Sequence, residues 1–271
     1  MPFTLIKGEF VPEAGRPDGD SMRFRPADPN PLFRLRRRGA APKVNQNNGT
    51  IQLRFEGIDT MESKSLEPFS SDATKSNLAL CGIPSGSGTA PGYILTNQIG
   101  PNGRPISFVF AGQTDEADGA SVFLDENKIE ESVNFKQLSL GHAYPLFYDT
   151  LFSDLRSKLT GEVEKARASN LGVWRADETN TGAQYSSALS LETMNPIFPK
   201  LWRRLDNYSR DRDTMNSESL GEFREYLESI REERVFILSE ARSTGFDDIV
   251  IIEGNVVKLA YEPEDIVVIS A

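Results

Sequence analysis

Between residues 4 and 124 the chain divides into short strand-like runs with one helical stretch set among them, and that order restricts the fold more than any other feature. Thr4 to Val11, Ser21 to Pro26 and Thr50 to Ile58 carry strand patterning, clearest in Ile51-Gln52-Leu53-Arg54-Phe55, where apolar and polar residues alternate. The polar stretch Asn45-Gln46-Asn47-Asn48-Gly49 marks the turn before the third strand. A helix begins at Pro68 with Phe69, Ala73 and Leu80 on one face, and a Gly/Pro/Ser loop from Gly82 to Gly92 follows it. Further strands are expected near Tyr93 to Gln98, Ile106 to Ala111 and Ser121 to Leu124. Helices are expected over Val133 to His142 and through the stripe Leu151, Leu155, Leu159, Val163 and Ala166, closed by Trp174 at the bottom of the core. The expectation is an α+β chain in which five of these short strands form a closed Greek-key barrel, with one inserted helix and more helices at its end.

Composition limits the chemistry. With 271 residues, 38% of them hydrophobic, the chain can build one large domain or two small ones. A single cysteine, Cys81, leaves no disulfide framework or thiolate zinc site within a monomer. A single histidine, His142, excludes two-histidine acid–base catalysis, phosphohistidine chemistry and multi-histidine metal centres; it reads as a helix-end residue. Phosphodiester cleavage by such a chain falls to carboxylates, arginines and a metal. The N-terminus has no apolar stretch of signal-peptide length and no later run is long enough to span a bilayer. A soluble product is expected with no membrane partner, either cytoplasmic or the mature form of an exported protein.

Charge is unevenly spread. The net charge is −10, yet residues 1 to 54 hold ten Lys/Arg against five Asp/Glu, so a local +5 faces a remainder of −15. The run Arg34-Leu35-Arg36-Arg37-Arg38, followed by Lys43, lies between Asp20 and Arg54. It supplies either backbone phosphate contacts or a solvated loop paired with the acidic remainder, and the sequence leaves both open.

Arg54 opens the run Arg54-Phe55-Glu56-Gly57-Ile58-Asp59-Thr60-Met61-Glu62, with Asp18-Gly19-Asp20 before it and Gly103-Arg104 after it. Carboxylate oxygens suit a hard cation such as Ca²⁺, and guanidinium forks match phosphoryl oxygens bidentately. Each residue also has a plainer role: Asp18 and Asp20 as turn formers, Arg54 as the partner of a nearby acid, Glu62 as a helix cap.

These segments resemble the staphylococcal nuclease (thermonuclease-like) family. The likeness covers roughly residues 1 to 175: beyond the run itself, Pro68-Phe69-Ser70-Ser71-Asp72-Ala73-Thr74 resembles the family's next helix and Gly103-Arg104-Pro105-Ile106-Ser107-Phe108 its Gly-Arg strand. Val133-Asn134 to Gly141, and Glu164-Lys165-Ala166-Arg167 to Leu171-Gly172-Val173-Trp174, keep the family's spacing and closing helix. The resemblance implies a five-stranded OB-fold barrel with inserted and C-terminal helices and a Ca²⁺-dependent endonuclease of broad specificity for DNA or RNA. It further implies Asp20, Asp59 and the main-chain carbonyl of Thr60 as metal ligands, Arg54 and Arg104 as phosphate clamps, and Glu62 as the carboxylate that orients or deprotonates water. Departures are Met61 where the family has proline, a longer loop from Asp20 to Arg54, and loss of most nucleotide-contacting residues; Phe147 or Tyr148 stacks a base or belongs to the core.

Residues 176 to 195, rich in Ser and Thr, read as a linker. The region 196–271 reads as a small α+β appendage: a helix over Phe198 to Tyr208, a second striped by Leu220, Phe223, Leu227 and Ile230, then strands near residues 235–238, 249–252, 256–259 and 266–269. It carries no recognisable chemistry and either packs on the barrel or holds a protein partner; Glu222, Glu225, Glu228, Glu232 and Glu233 read as a solvated face. Two other functions compete with the nuclease. One is a barrel that binds nucleic acid or protein without cutting. The other is a Mg²⁺ nuclease around Glu62-Ser63-Lys64 with Asp20, which leaves Arg54 and Arg104 without a role.

Overall fold

The computed structural model describes residues 2–62, 67–211, 219–230 and 233–270. Ser63, Lys64 and Glu232 of the sequence analysis lie outside the described residues. The first half contains β1 (Phe3–Phe10), β2 (Arg23–Pro26), a short helix α1 (Asn30–Arg34), β3 (Arg36–Arg37), β4 (Ile51–Gln52), β5 (Arg54–Phe55), β6 (Ile58–Asp59), α2 (Phe69–Leu80), β7 (Ala90–Ile99), β8 (Pro105–Ala111) and β9 (Ser121–Val122). One continuous ladder runs β4-β2-β1-β7-β8-β5, with β3 beside β7 and β9 beside β1.

The two ends of that ladder are neighbours in sequence. β4 pairs antiparallel with β2 and β5 pairs parallel with β8, and only Leu53 separates β4 from β5. Leu53 is fully buried and its N–H donates to the Met22 carbonyl at 2.9 Å. A single five-residue segment thus changes partner half way along, and the six-strand sheet nearly closes on itself, leaving few open edges. The strand expected to run unbroken from 50 to 58 is therefore three pieces. Its second break is the Glu56-Gly57 turn, where Gly57 has φ 76° and an added Cβ would stand 2.8 Å from the Leu159 side chain. Only glycine takes that backbone angle without strain, so the turn into β6 is specified by one residue.

Leu5, Phe10, Phe24, Ile94, Phe108 and Phe110 are all almost fully buried, and the register sets Ile6, Ile94 and Val109 on one face of the sheet and Leu5, Leu95 and Phe108 on the other. β7 and β8 are buried over nearly their whole length rather than alternating, because the chain covers their outer face as well. Helix α3 (Val133–Ser139) packs against β8 and α2, and after β10 (Tyr144–Pro145) and β11 (Phe147–Tyr148), helix α4 (Ser153–Ala168) packs on α3. Leu155, Leu159, Val163 and Ala166 form the buried stripe of α4, at the spacing expected. Trp174 is buried edge-to-face on Tyr144, with Arg167 over its ring.

The later residues are woven into this body. They comprise β12 (Ala183–Gln184), α5 (Pro199–Asp211), α6 (Phe223–Ser229), β13 (Arg234–Ile237), β14 (Arg242–Gly245), β15 (Val250–Glu253), β16 (Val256–Leu259) and β17 (Ile266–Val268). One sheet runs β11-β17-β13-β14 and another β12-β16-β15, so each borrows its first strand from earlier in the chain. Residues 176–195, expected as a linker, are packed: Ala183 and Tyr185 are fully buried and β12 pairs with β16. Arg167 of α4 clamps Glu264 through two hydrogen bonds of 2.7 and 2.6 Å. The result is a mixed α+β protein built on a nearly closed barrel-like sheet. Among the described residues, no helix is long and apolar enough to cross a membrane.

Candidate phosphoryl-transfer site

Main-chain anchors bring the sequence-predicted residues together. The N–H of Phe55 donates to the Asp20 carbonyl at 3.0 Å, which fixes the acidic turn alongside β5. Asn77 of α2 donates to the carbonyls of Asp18 (2.6 Å) and Ser21 (3.2 Å), and Gln137 of α3 donates to that of Gly19 (2.8 Å). Asn134, fully buried, donates to the carbonyls of Glu56 (2.8 Å) and Ser107 (3.0 Å) and accepts from the Val109 N–H (2.9 Å), tying the Glu56-Gly57 turn to β8. Three buried amide side chains on two helices thus replace the ladder bonds that irregular backbone cannot make.

On this frame Arg54 projects away from the barrel core while Phe55 fills it. The Arg54 guanidinium hydrogen-bonds Asp20 through one nitrogen and Asp59 through the other, the latter at 3.0 Å. Both carboxylates are nearly inaccessible, Asp20 at 4% and Asp59 at 1%. Burial pushes the Asp20 carboxyl well above its usual range, against the attraction of Arg54. Burial acts the same way on Asp59, but Arg203 and Arg54 outweigh it and hold that carboxyl down at about 2.

Arg104 is differently placed. Among the described residues its guanidinium makes no hydrogen bond or ion pair, although it faces the same cavity of about 340 Å³ that Asp20, Arg54, Asp59, Thr60 and Glu62 line. Burial and the nearby Arg54 charge lower its affinity for its proton, as expected of a cation that lacks a bound counter-charge. Its position depends on the Gly100–Gly103 turn, across which the basic loop is fastened: Arg38, Ala40 and Lys43 N–H groups donate to the carbonyls of Ile99, Pro101 and Gly103 at 3.0–3.1 Å. At Gly103 (φ 77°) an added Cβ would lie 2.4 Å from the Ala41 carbonyl oxygen, so that close approach requires glycine.

The sequence analysis missed one residue of this cluster. Arg203, on α5, donates to Asp59 Oδ1 (3.1 Å) and Oδ2 (2.6 Å) and to Glu62 Oε1 (3.0 Å). Glu62 thus pairs with a guanidinium. Nothing in the sequence singled out Arg203: it lies beside the stripe Leu201, Trp202, Leu205 and Tyr208 that buries α5, in a helix with three arginines. Helix α5 is held in place by Trp202, whose Nε1 donates to the Leu191 carbonyl at 3.0 Å, and by Lys200 and Arg204, both paired with Glu233. Glu233, expected on a solvated face, is therefore an anchor.

Of the two aromatic candidates, Phe147 is fully buried in the core and Tyr148 borders the site cavity. His142 is half-buried just past α3, its N–H donating to the Gln137 carbonyl, and burial lowers its pKa. It stays outside the cluster. No three carboxylate, imidazole or thiolate side chains gather as a metal cage among the described residues. The donor set at the site is smaller, two carboxylates bridged by Arg54 with the Thr60 carbonyl next in sequence, and it offers oxygen only. That fits a hard cation such as Ca²⁺ and excludes a soft-ligand metal. No protein-family model matches this chain, and no curated protein does.

Proposed function

We propose that the protein hydrolyses phosphodiester bonds of nucleic acid, as the resemblance to the staphylococcal nuclease family implies. The observation that carries this reading is the convergence of Asp20, Arg54, Asp59, Glu62 and Arg104 from three distant segments on one cavity, with the Arg104 guanidinium unengaged among the described residues. The barrel supports it too: counted as one strand, residues 51–55 complete a ring of five with β1, β2, β7 and β8, as in an OB-fold.

Asp20, Asp59 and the Thr60 carbonyl would hold Ca²⁺, which when bound adds positive charge beside the phosphoryl oxygens. Arg104 binds a non-bridging phosphoryl oxygen, and Arg54, already held by two carboxylates, presents its remaining N–H groups to the same phosphate. Both cations meet charge that grows as water attacks, so they stabilise the transition state more than the bound substrate. Glu62, half exposed at the cavity rim, accepts the proton of the attacking water or orients it.

Arg203 favours a second reading, in which the barrel binds nucleic acid or a protein without cutting. Its guanidinium neutralises Asp59 from both oxygens, as a cation would. Incubation with single- and double-stranded DNA and RNA in Ca²⁺, Mg²⁺ or chelator separates the two. Cleavage with Ca²⁺ that stops on chelation is the expected result; binding without cleavage in every condition would establish the second reading.

A further inference from the structure

The carboxylate cavity is the first of three cavities that share lining residues. It shares Arg54, Arg104 and Tyr148 with a second cavity of about 450 Å³, and that cavity shares Arg38, Gln98 and Thr150 with a third of about 540 Å³. The middle cavity lies between barrel and C-terminal region, with Phe55, Ile58 and Ile106 on one side and Val268 and Ile269 on the other. The third is bordered by Arg36 and Arg38 of the basic loop and by Arg156 of α4.

The far end is a built cluster of cations. β3 is pinned parallel to β7 by the register Arg36↔Gln98, which fixes the main chain that carries the loop's arginines. Among the described residues Arg36 and Arg156 make no ion pair, and the buried Arg38 Nε has no hydrogen-bond partner. Among the described residues the sole carboxylate bordering that cavity, Asp149, stands 3.9 Å from Arg38 Nη1 and already accepts from Ser270 N–H and Oγ–H at 3.2 and 2.6 Å. Three guanidiniums against one occupied carboxylate leave a local excess of positive charge beside a buried donor that lacks an acceptor, which is the chemistry of an anion site.

We propose that Arg36, Arg38 and Arg156 form a second phosphate subsite for a single-stranded nucleic acid, whose bases enter the middle cavity and whose scissile phosphate lies at Arg104. The proposal rests on reading the carboxylate cavity as a nucleic-acid site. An unpaired base offers an apolar face to the middle cavity, whereas the bases of a duplex are already stacked and paired. The alternating layout, arginines at both ends and apolar surface between, suits an extended strand, in which flat bases stand between successive phosphates, better than polyglutamate, which carries no flat group between charges.

The test is binding by fluorescence anisotropy in chelator, where cleavage does not interfere, using oligothymidylates of about 2 to 12 nucleotides, a duplex and polyglutamate. For the parent protein, affinity should climb with length until the strand reaches the far subsite, then level off. Replacement of Arg36, Arg38 and Arg156 together by Gln should remove that climb, weaken the longest strand at least tenfold and reduce the salt slope by about 2, at about 0.7 per single-strand phosphate contact. Far-ultraviolet circular dichroism confirms folding, and Arg36→Gln alone, at an exposed position, gives a milder version that leaves the barrel untouched. Length-independent binding, long-strand affinity within twofold of the parent, or equal binding of duplex or polyglutamate would each overturn the subsite. Length-dependent binding without cleavage in Ca²⁺ would keep the subsite and remove the nuclease; cleavage without length dependence would do the reverse.

Discussion

The barrel and the C-terminal region both put arginine at the site, by different routes. Arg54 stands on a paired strand segment, opposite Ile106 in the β5–β8 ladder, and Arg104 between the Gly100–Gly103 turn and β8; their neighbours are dictated by glycine turns and buried amides. Arg203 stands on a helix whose placement depends on Trp202, Glu233 and the packing of α5, all later in the chain than the barrel. A motif can announce the first kind of residue because its geometry is local. The second kind carries no local signal, because its address is set by how one folded layer lands on another.

Four measurements would break or sharpen that contrast. The largest expected effect is on the barrel side. Chelation, or Asp59→Asn, should abolish cleavage, a loss of about 10³-fold or more and so at least about 4 kcal/mol. Full activity in chelator would remove the metal from the mechanism. Next, Arg104→Lys should keep the fold and much of the ground-state affinity while slowing single-turnover cleavage by about 10²-fold, about 3 kcal/mol, since a point ammonium cannot reproduce the two-pronged contact. A rate within twofold of the parent would take Arg104 out of the site.

The third measurement concerns the seam between the two regions. Glu56 belongs to the barrel yet lines the cavity it shares with Glu233 and Ile269, and burial raises its carboxyl to about 7, against the pull of Arg54 and the Gly57 N–H. Because the folded value lies above the ordinary 4.5, the folded state holds this proton more tightly. The associated stability is complete below about pH 4.5 and is lost as pH rises through 7. Glu56→Gln should therefore gain up to about 3 kcal/mol over the parent above pH 7 and nothing at pH 4. Melting curves that differ equally at both pH values would mean water reaches Glu56 and the seam is open.

The smallest effect is expected at Arg203. If it occupies the oxygens that a cation needs, Arg203→Gln should tighten Ca²⁺ binding about tenfold by isothermal titration, or about 1.4 kcal/mol. Weaker Ca²⁺ binding in the variant would mean that the C-terminal region organises the site instead of competing for it.

The helices at 69–80 and 153–168 were legible because their apolar spacing follows the helical period, and the strands at 3–10, 90–99 and 105–111 because they are short runs bounded by turn residues. Asp20, Arg54, Asp59, Glu62 and Arg104 were named from the sequence through the family resemblance, and the structure brings them to one cavity. The split of residues 51–55 between two partners was not legible, since an alternating pentapeptide reads the same whether it serves one ladder or two. Nor were the pairings β11–β17 and β12–β16: two-residue strands carry too few side chains to hold a pattern, and their partners lie 120 residues away in the first case and 72 or 74 in the second. By itself the sequence determined which residues carry charge and which turns demand glycine, because those are properties of single side chains and single φ angles. Tertiary structure alone decided that Arg203 meets Asp59, that Glu56 lies beneath a second layer, and that Arg36, Arg38 and Arg156 border one cavity, because contact between distant segments is fixed by the packing of whole faces and not by any residue in them.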